Sequence, residues 1–205
     1  MSYAQEVDWN EIDTNSSRES DFLKIEEGEN TVRVMSNPIP YSIHWLENNG
    51  KKKKFNSPAD NPALVRRLED AGFKKKQSYF LKVLDRKTEK YKILEIGPQI
   101  FNGIKTLYSN KKWGKLSGYD ISINRAPKGT QPLYSVSPNP HEALSADIKA
   151  KFVEFNDRVD LNKFTGPGSS EQIMEFMGWT GASSSSKSTT KTSRPVHQFD
   201  DESDE

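Results

Sequence analysis

Ser78-Tyr-Phe-Leu-Lys-Val-Leu-Asp85, Arg86-Lys-Thr-Glu-Lys90 and Tyr91-Lys-Ile-Leu-Glu-Ile96 together form the stretch whose reading decides the fold. The outer segments are rich in β-branched and aromatic residues, and the polar five between them make a short connection, which predicts a β-hairpin. Gly97-Pro98 follows. Ile100, Ile104 and Leu107 then recur at helical spacing with Phe101 and Tyr108 beside them, so a helix is predicted straight after the hairpin. Downstream, Tyr119-Asp-Ile-Ser-Ile123 and Pro132-Leu-Tyr-Ser-Val136 read as two further strands. Asn139-Pro-His-Glu142 has capping-box spacing. It predicts a helix from there to about Arg158, with Leu144, Ile148, Phe152, Phe155 and Val159 on one side. Ser170 to Met177 reads as a last helix, stopped by Gly178.

Upstream of the hairpin, Phe22-Leu-Lys-Ile25 and Thr31-Val-Arg-Val-Met35 flank a turn-prone Glu26-Glu-Gly-Glu-Asn30, as two strands or one bulged strand. Tyr41-Ser-Ile-His-Trp45 alternates, with Tyr41, Ile43 and Trp45 on one face, and Asn48-Asn-Gly50 is a turn signal. Asn61 as cap, Pro62 at the first helical position and the stripe Leu64, Val65, Leu68, Ala71 predict a helix over 61–72. The sum is five or six short strands, a helix midway and helices at the end. The expected fold is mainly β with added helices: a five-stranded oligonucleotide-binding (OB) barrel with inserted and C-terminal helices. An open antiparallel sheet backed by helices is the alternative.

Composition divides the chain into three parts: an acidic N-terminal arm over 1–21, a core over 22–179, and a Ser/Thr-rich linker with an acidic tail over 180–205. Residues 1–30 hold nine acidic side chains against two basic ones, and Trp9 and Ile12 form an apolar pair suited to docking on the body. Residues 51–128 carry 20 Lys and Arg against 7 Asp and Glu, a net charge of +13. The last nine residues carry five carboxylate side chains and no Lys or Arg. A basic body with a tethered acidic tail suits a polyanion ligand with a built-in competitor. There is no cysteine, so neither a disulfide nor a thiolate metal site is possible. His44, His141 and His197 are far apart, and no phosphate loop or G-x-S-x-G elbow occurs. No catalysis, cofactor or metal is expected. No apolar run is long enough to span a bilayer and no signal-peptide pattern occurs, so a soluble intracellular protein is expected.

Basic runs alternate with aromatics at four places, namely Lys51–Lys54 with Phe55, Lys74–Lys76 with Tyr79 and Phe80, Lys111-Lys112 with Trp113, and Arg86, Lys90 and Lys92 around Tyr91. The mixture serves single-stranded nucleic acid: cations track phosphates and flat rings stack exposed bases. The candidate contacts are Lys52, Lys53, Lys54 and Phe55; Lys74 and Lys75; Lys111, Lys112 and Trp113; and Arg125 and Lys128. Period-2 parity adds Phe80, Lys82 and Arg86 on a face that mixes aromatic and cation, opposite a core face of Tyr79, Leu81 and Val83. Arg33 is either a contact or an edge charge. Trp45 is either core or platform, and Trp113, in a basic loop, is read as a platform. Tyr119, Ile121 and Ile123 are read as core.

Five blocks, taken in order, resemble the bacteriophage single-stranded DNA-binding (helix-destabilising) proteins over roughly residues 20–160. They are Phe22-Leu-Lys-Ile with Gly28 to Ser36; His44-Trp45; Tyr79 to Arg86; Trp113-Gly114 with Gly118 to Arg125; and Tyr134 to Pro138. The linker and acidic end are similar to that family's tails. The resemblance implies an OB barrel that coats and protects single strands with low sequence specificity and removes secondary structure. It places the chain in phage replication, recombination and repair, in the cytoplasm of an infected bacterium, with self-association on DNA. It implies a tail, here Phe199, Asp200, Asp201, Glu202, Asp204 and Glu205, that recruits polymerase, helicase/primase or recombination factors. Many relatives hold zinc in the stretch matching residues 44–76. This chain has His44 but no cysteine, so the 61–72 helix is expected to staple that region instead. The acidic N-terminus also departs from the basic arm of the best-known relatives. The rival readings are an RNA-binding barrel of the cold-shock kind and an acidic-tailed scaffold or nuclease.

Overall fold

The computed structural model describes residues 20–179. The Trp9/Ile12 pair and the tail from Phe199 to Glu205 lie outside the described residues. The central hairpin pairs β5 (Lys76–Asp85) with β6 (Lys90–Ile96), and the other edge of β5 pairs first with β3 (Ile39–Asn48) and then with β2 (Gly28–Val34). β2 continues the sheet to β7 (Tyr119–Arg125), and β7 to β8 (Tyr134–His141). The two-residue β1 (Phe22–Leu23) adds in parallel to the outer edge of β6. The order is β1-β6-β5-β2-β7-β8, and β3 carries a side branch, β4 (Lys51–Asn56). Eight strands therefore replace the expected five or six. β1 and β2 realise the two-strand reading of Phe22 to Met35, and the addition is the lysine strand β4, which has too few apolar residues to read as a strand by pattern.

Local chemistry sets the helices. Asn61 accepts from the Leu64 amide at 3.1 Å and opens α1 (Pro62–Asp70). Pro98 opens α2 (Pro98–Ser109), which buries Ile100, Ile104 and Leu107. The capping box at 139–142 is not used, because β8 continues along β7 through a bulge to His141, which pairs with Tyr119. Ser145 caps α3 (Ala146–Arg158) instead. α4 (Ser170–Met177) ends at Gly178 with φ +66°, a left-handed stop suited to glycine. No helix among the described residues is long and apolar enough to cross a membrane.

Three cores follow. Val34, Leu81, Val83, Ile96 and Ile121 pack with α2 on one face of the sheet. On the opposite face, Tyr41, Phe80, Leu84, Tyr91 and Ile93 pack under Leu144, Phe155, Val159 and Leu161 of the α3 segment. Both faces of β5 and β6 are thus buried, which is why the run Tyr79 to Leu84 is nearly all apolar. The third core lies under the β3–β4 hairpin, where Leu46 and Phe55 meet Leu64 and Leu68 of α1 and Ile173 of α4. The hairpin turn is made by Asn49 and Gly50, both at positive φ, as an Asn-Gly type I′ turn requires. Gly168 approaches Asn56 so closely that a Cβ there would overlap the Asn56 carbonyl, which ties the segment before α4 to the hairpin base.

Candidate nucleic-acid interface

The β3–β4 hairpin leaves one face covered and one open. Residues directly opposite each other share a face in an antiparallel pair. His44 and Phe55 therefore point toward the third core with Leu46, while Trp45 lies opposite Lys54, and Glu47 opposite Lys52, on the other face. Trp45 is 50% exposed. It shares parity with Tyr41 and Ile43, as the sequence predicts, but the α3 segment that buries those two does not extend over it. On its other side β3 pairs with β5, where exposed Lys76 lies opposite Ile43 and follows exposed Lys74 and Lys75. An indole is thus framed by lysines from two flanking strands. Lys52 reaches Glu47 at 3.2 Å with both side chains in solvent, and Lys54 is paired with Glu95. Glu95 also accepts from the Tyr41 hydroxyl at 2.6 Å, tying β3, β4 and β6 together on the face that carries Trp45. β4 is an edge strand, where lysines also discourage strand addition. The open indole between the lysine rows is what edge protection does not explain.

The sequence-predicted residues separate into those that join this surface and those that do not. Trp45, Lys52, Lys54, Lys74 and Lys75 join it; Lys76 belongs with them, and the strand register is the signal that adds it, whereas Lys51, opposite Asn48, falls on the other face. Lys53 and Phe55 face the other way. Phe55 is buried, with the Lys53 amine 4.8 Å from its ring centroid. Phe80 is 4% exposed and stacked on Tyr41 at 4.6 Å. Lys82 is buried beside it, donating to the Asn156 carbonyl at 3.0 Å and side-chain oxygen at 2.8 Å. Burial lowers its pKa, opposed by the nearby carboxylates of Asp160 and Asp157. Arg86 pairs with Asp120 at 3.1 Å, Glu89 at 3.2 Å and Glu142 at 3.3 Å. The face read as aromatic-and-cation is therefore a core face. The stripe Leu144 to Val159 gave the signal: an apolar helix side needs an apolar partner, and this face is that partner.

Arg33 is 0% exposed and donates to Asp120 at 2.7 Å and to the Glu142 carbonyl. It is neither a contact nor an edge charge but a buried ion pair linking β2 to β7. The Trp113 ring is half-buried, 5.6 Å from Tyr119 and stacked on His141. That cover replaces the platform reading, while Lys111 and Lys112 beside it stay exposed. Tyr119, Ile121 and Ile123 are core, as expected. Arg125 donates to the Ile25 carbonyl at 3.0 Å, and Lys128 stands exposed in the next loop. The seven residues of β7 part these two from Trp113 by ~20 Å of strand. His44 is fully buried; its Nδ1 is 2.7 Å from the Phe73 carbonyl and its Nε2 is 3.2 Å from the Ser57 hydroxyl. It bridges the two ends of the segment that carries α1.

No family model matches the chain. Over 150 residues it is 27% identical to a protein of Escherichia phage T5 named as a probable ssDNA-binding protein, covering 62% of this chain and 58% of that one. The chain therefore matches little more than half the length of that relative. The relative's name is that of a binding protein rather than an enzyme. The resemblance to bacteriophage single-stranded DNA-binding proteins carried by the five sequence blocks is borne out by this curated relative.

Proposed function

We propose that this chain is a non-enzymatic single-stranded DNA-binding protein that uses the open face of the β3–β4 hairpin. The observation that carries the reading is the half-exposed Trp45 ring between Lys52 and Lys54 on one side and the exposed run Lys74 to Lys76 on the other. A flat ring beside lysine rows suits a strand whose bases are unstacked and whose phosphates track the cations. The strand order supports an OB-type unit. β2, β5, β6, β7 and β8 lie in the order β6-β5-β2-β7-β8, and α2 joins the third of them to the fourth. In such a unit the loop joining the first two strands is a usual binding element. Here that connection is the whole β3–β4–α1 insert. Coating needs no catalysis, because binding only the single strand melts hairpins by mass action. In this reading the protein serves replication, recombination and repair in an infected bacterium, and the acidic tail from Phe199 to Glu205 recruits replication proteins. No metal is called for, since both His44 ring nitrogens already have protein partners.

Titration of the full chain against matched single-stranded DNA, duplex DNA and RNA tests this. Tightest binding to single-stranded DNA is expected, with log affinity falling against log salt by ~0.7 per phosphate contacted. Equal affinity for duplex, or a flat salt response, sinks the reading. Preference for RNA would move the assignment to the cold-shock class. Deleting residues 196–205 should tighten binding at low salt, because a tethered polyanion competes for the same lysines. The difference should shrink as salt rises.

A further inference from the structure

A second concave surface lies away from the hairpin. It is a groove of about 800 Å³ between α2, α3 and the β2–β3 connection. Its floor is aliphatic, built from Val34, Leu81 and Ile104, with Met35 and Leu116 at the sides. Tyr108, 66% exposed, stands on its rim. Lys105 and Lys115 are the only charged residues lining it and form no ion pair among the described residues; Lys111 and Lys112 lie in the loop between them. Phe101, which also lines it, is already stacked on Tyr79 at 3.7 Å. The floor therefore offers few free ring faces for bases and much aliphatic surface for an apolar side chain. The groove asks for a short acidic segment with an apolar anchor.

We infer that the groove is occupied, in cis, by the N-terminal arm of this chain, with Trp9 and Ile12 on the aliphatic floor and Asp8, Glu11 and Asp13 against Lys105 and Lys115. Residues 1–13 contain four carboxylates and no Lys or Arg, so the charges are complementary. The described chain begins at the right place. Ser20 and Asp21 lie against the side of α3 bearing Lys151, Glu154 and Arg158, and Arg158 clamps Asp21 with two hydrogen bonds of 3.0 Å. Phe152 and Asn156 of the same helix line the groove. The arm must cross only one helix, ~10–12 Å wide. Eleven residues from Ser20 back to Trp9 span up to ~36 Å when extended. The acidic tail shares the charge, but it follows Trp179, which packs in the third core with α1 and α4, and none of these elements lines the groove. The inference does not rest on the DNA reading.

The test uses the full-length chain with Trp9 replaced by the photoreactive p-benzoylphenylalanine, irradiated and mapped by mass spectrometry. Intrachain cross-links to Met35, Tyr108 or Leu116 are expected. Lys105→Glu with Lys115→Glu, folded by circular dichroism, should lower the yield roughly tenfold at low salt and less at high salt. Adding Asp8→Lys and Glu11→Lys to that variant should restore it. Cross-links elsewhere, none at all, or a yield indifferent to the charge swap would overturn the inference. A covalent dimer would assign the groove to a second copy, and loss of the cross-link on adding oligothymidylate would assign it to nucleic acid. A severalfold rise on deleting residues 196–205 would make the tail its principal occupant. Each of these three outcomes also overturns it.

Discussion

Trp45 and Trp113 look alike in sequence: each is an indole near a lysine run and a glycine turn. In the folded chain they differ in cover. Trp113 is half-buried against Tyr119 and His141, on the side of the sheet that α2 closes. Trp45 stands on a strand that runs past the edge of the α3 segment, where one face of the hairpin is held by α1 and α4 and the other meets solvent. Proximity of aromatic and cation in sequence therefore does not identify a stacking platform. What identifies one is an aromatic left uncovered after every apolar helix face has found its partner.

Four substitutions can break or sharpen this contrast. Arg33→Ala should have the largest effect and touch only stability. It removes one partner of a fully buried pair, leaving Asp120 to Arg86 alone, and should cost about 3 kcal/mol in urea unfolding while the affinity of the folded protein for single-stranded DNA holds. A selective loss of affinity would return Arg33 to the interface. Trp113→Ala should lower stability by about 2 kcal/mol, less than a fully buried tryptophan because the ring is half-buried. If calorimetry instead finds an unchanged melting temperature and DNA binding falls, the two tryptophans have been assigned in reverse.

Trp45→Ala should do the opposite, weakening single-stranded DNA binding by ~1–3 kcal/mol through loss of a stacking surface. Thermal unfolding should move little, since half of the side chain is already in water. Full retention of affinity removes the central residue of the proposed surface. Lys52→Ala should have the smallest effect. Its pairing with Glu47 is solvent-exposed and contributes little, so stability is unchanged, while the slope of log affinity against log salt falls by ~0.7. An unaltered slope would mean that the strand does not pass over β4.

Much of the architecture was legible because it depends on short-range chemistry. The β5–β6 hairpin, the Asn61 cap, the Pro98 helix start and the Gly178 stop all lie where local preferences put them. The capping box at 139–142 failed for a tertiary reason, since pairing with β7 keeps Asn139 to His141 extended and leaves Ser145 to cap. The lysine strand was invisible as a strand because its stability comes from the Asn-Gly turn and from Phe55 reaching the third core, not from its own pattern.

The sequence by itself determined the mainly β class with added helices, the charge contrast between body and ends, and the resemblance to phage single-stranded DNA-binding proteins. Composition, turn residues and block order need no knowledge of what packs on what. Only the tertiary structure decided which cations and rings remain available. Parity assigns a side chain to a face of the sheet but does not say which faces are covered. Phe80, Lys82 and Arg33 had the composition of an interface and became core because α3 and the residues leading into it close over that face. Trp45 has the parity of a core residue and stays open because that cover ends before it.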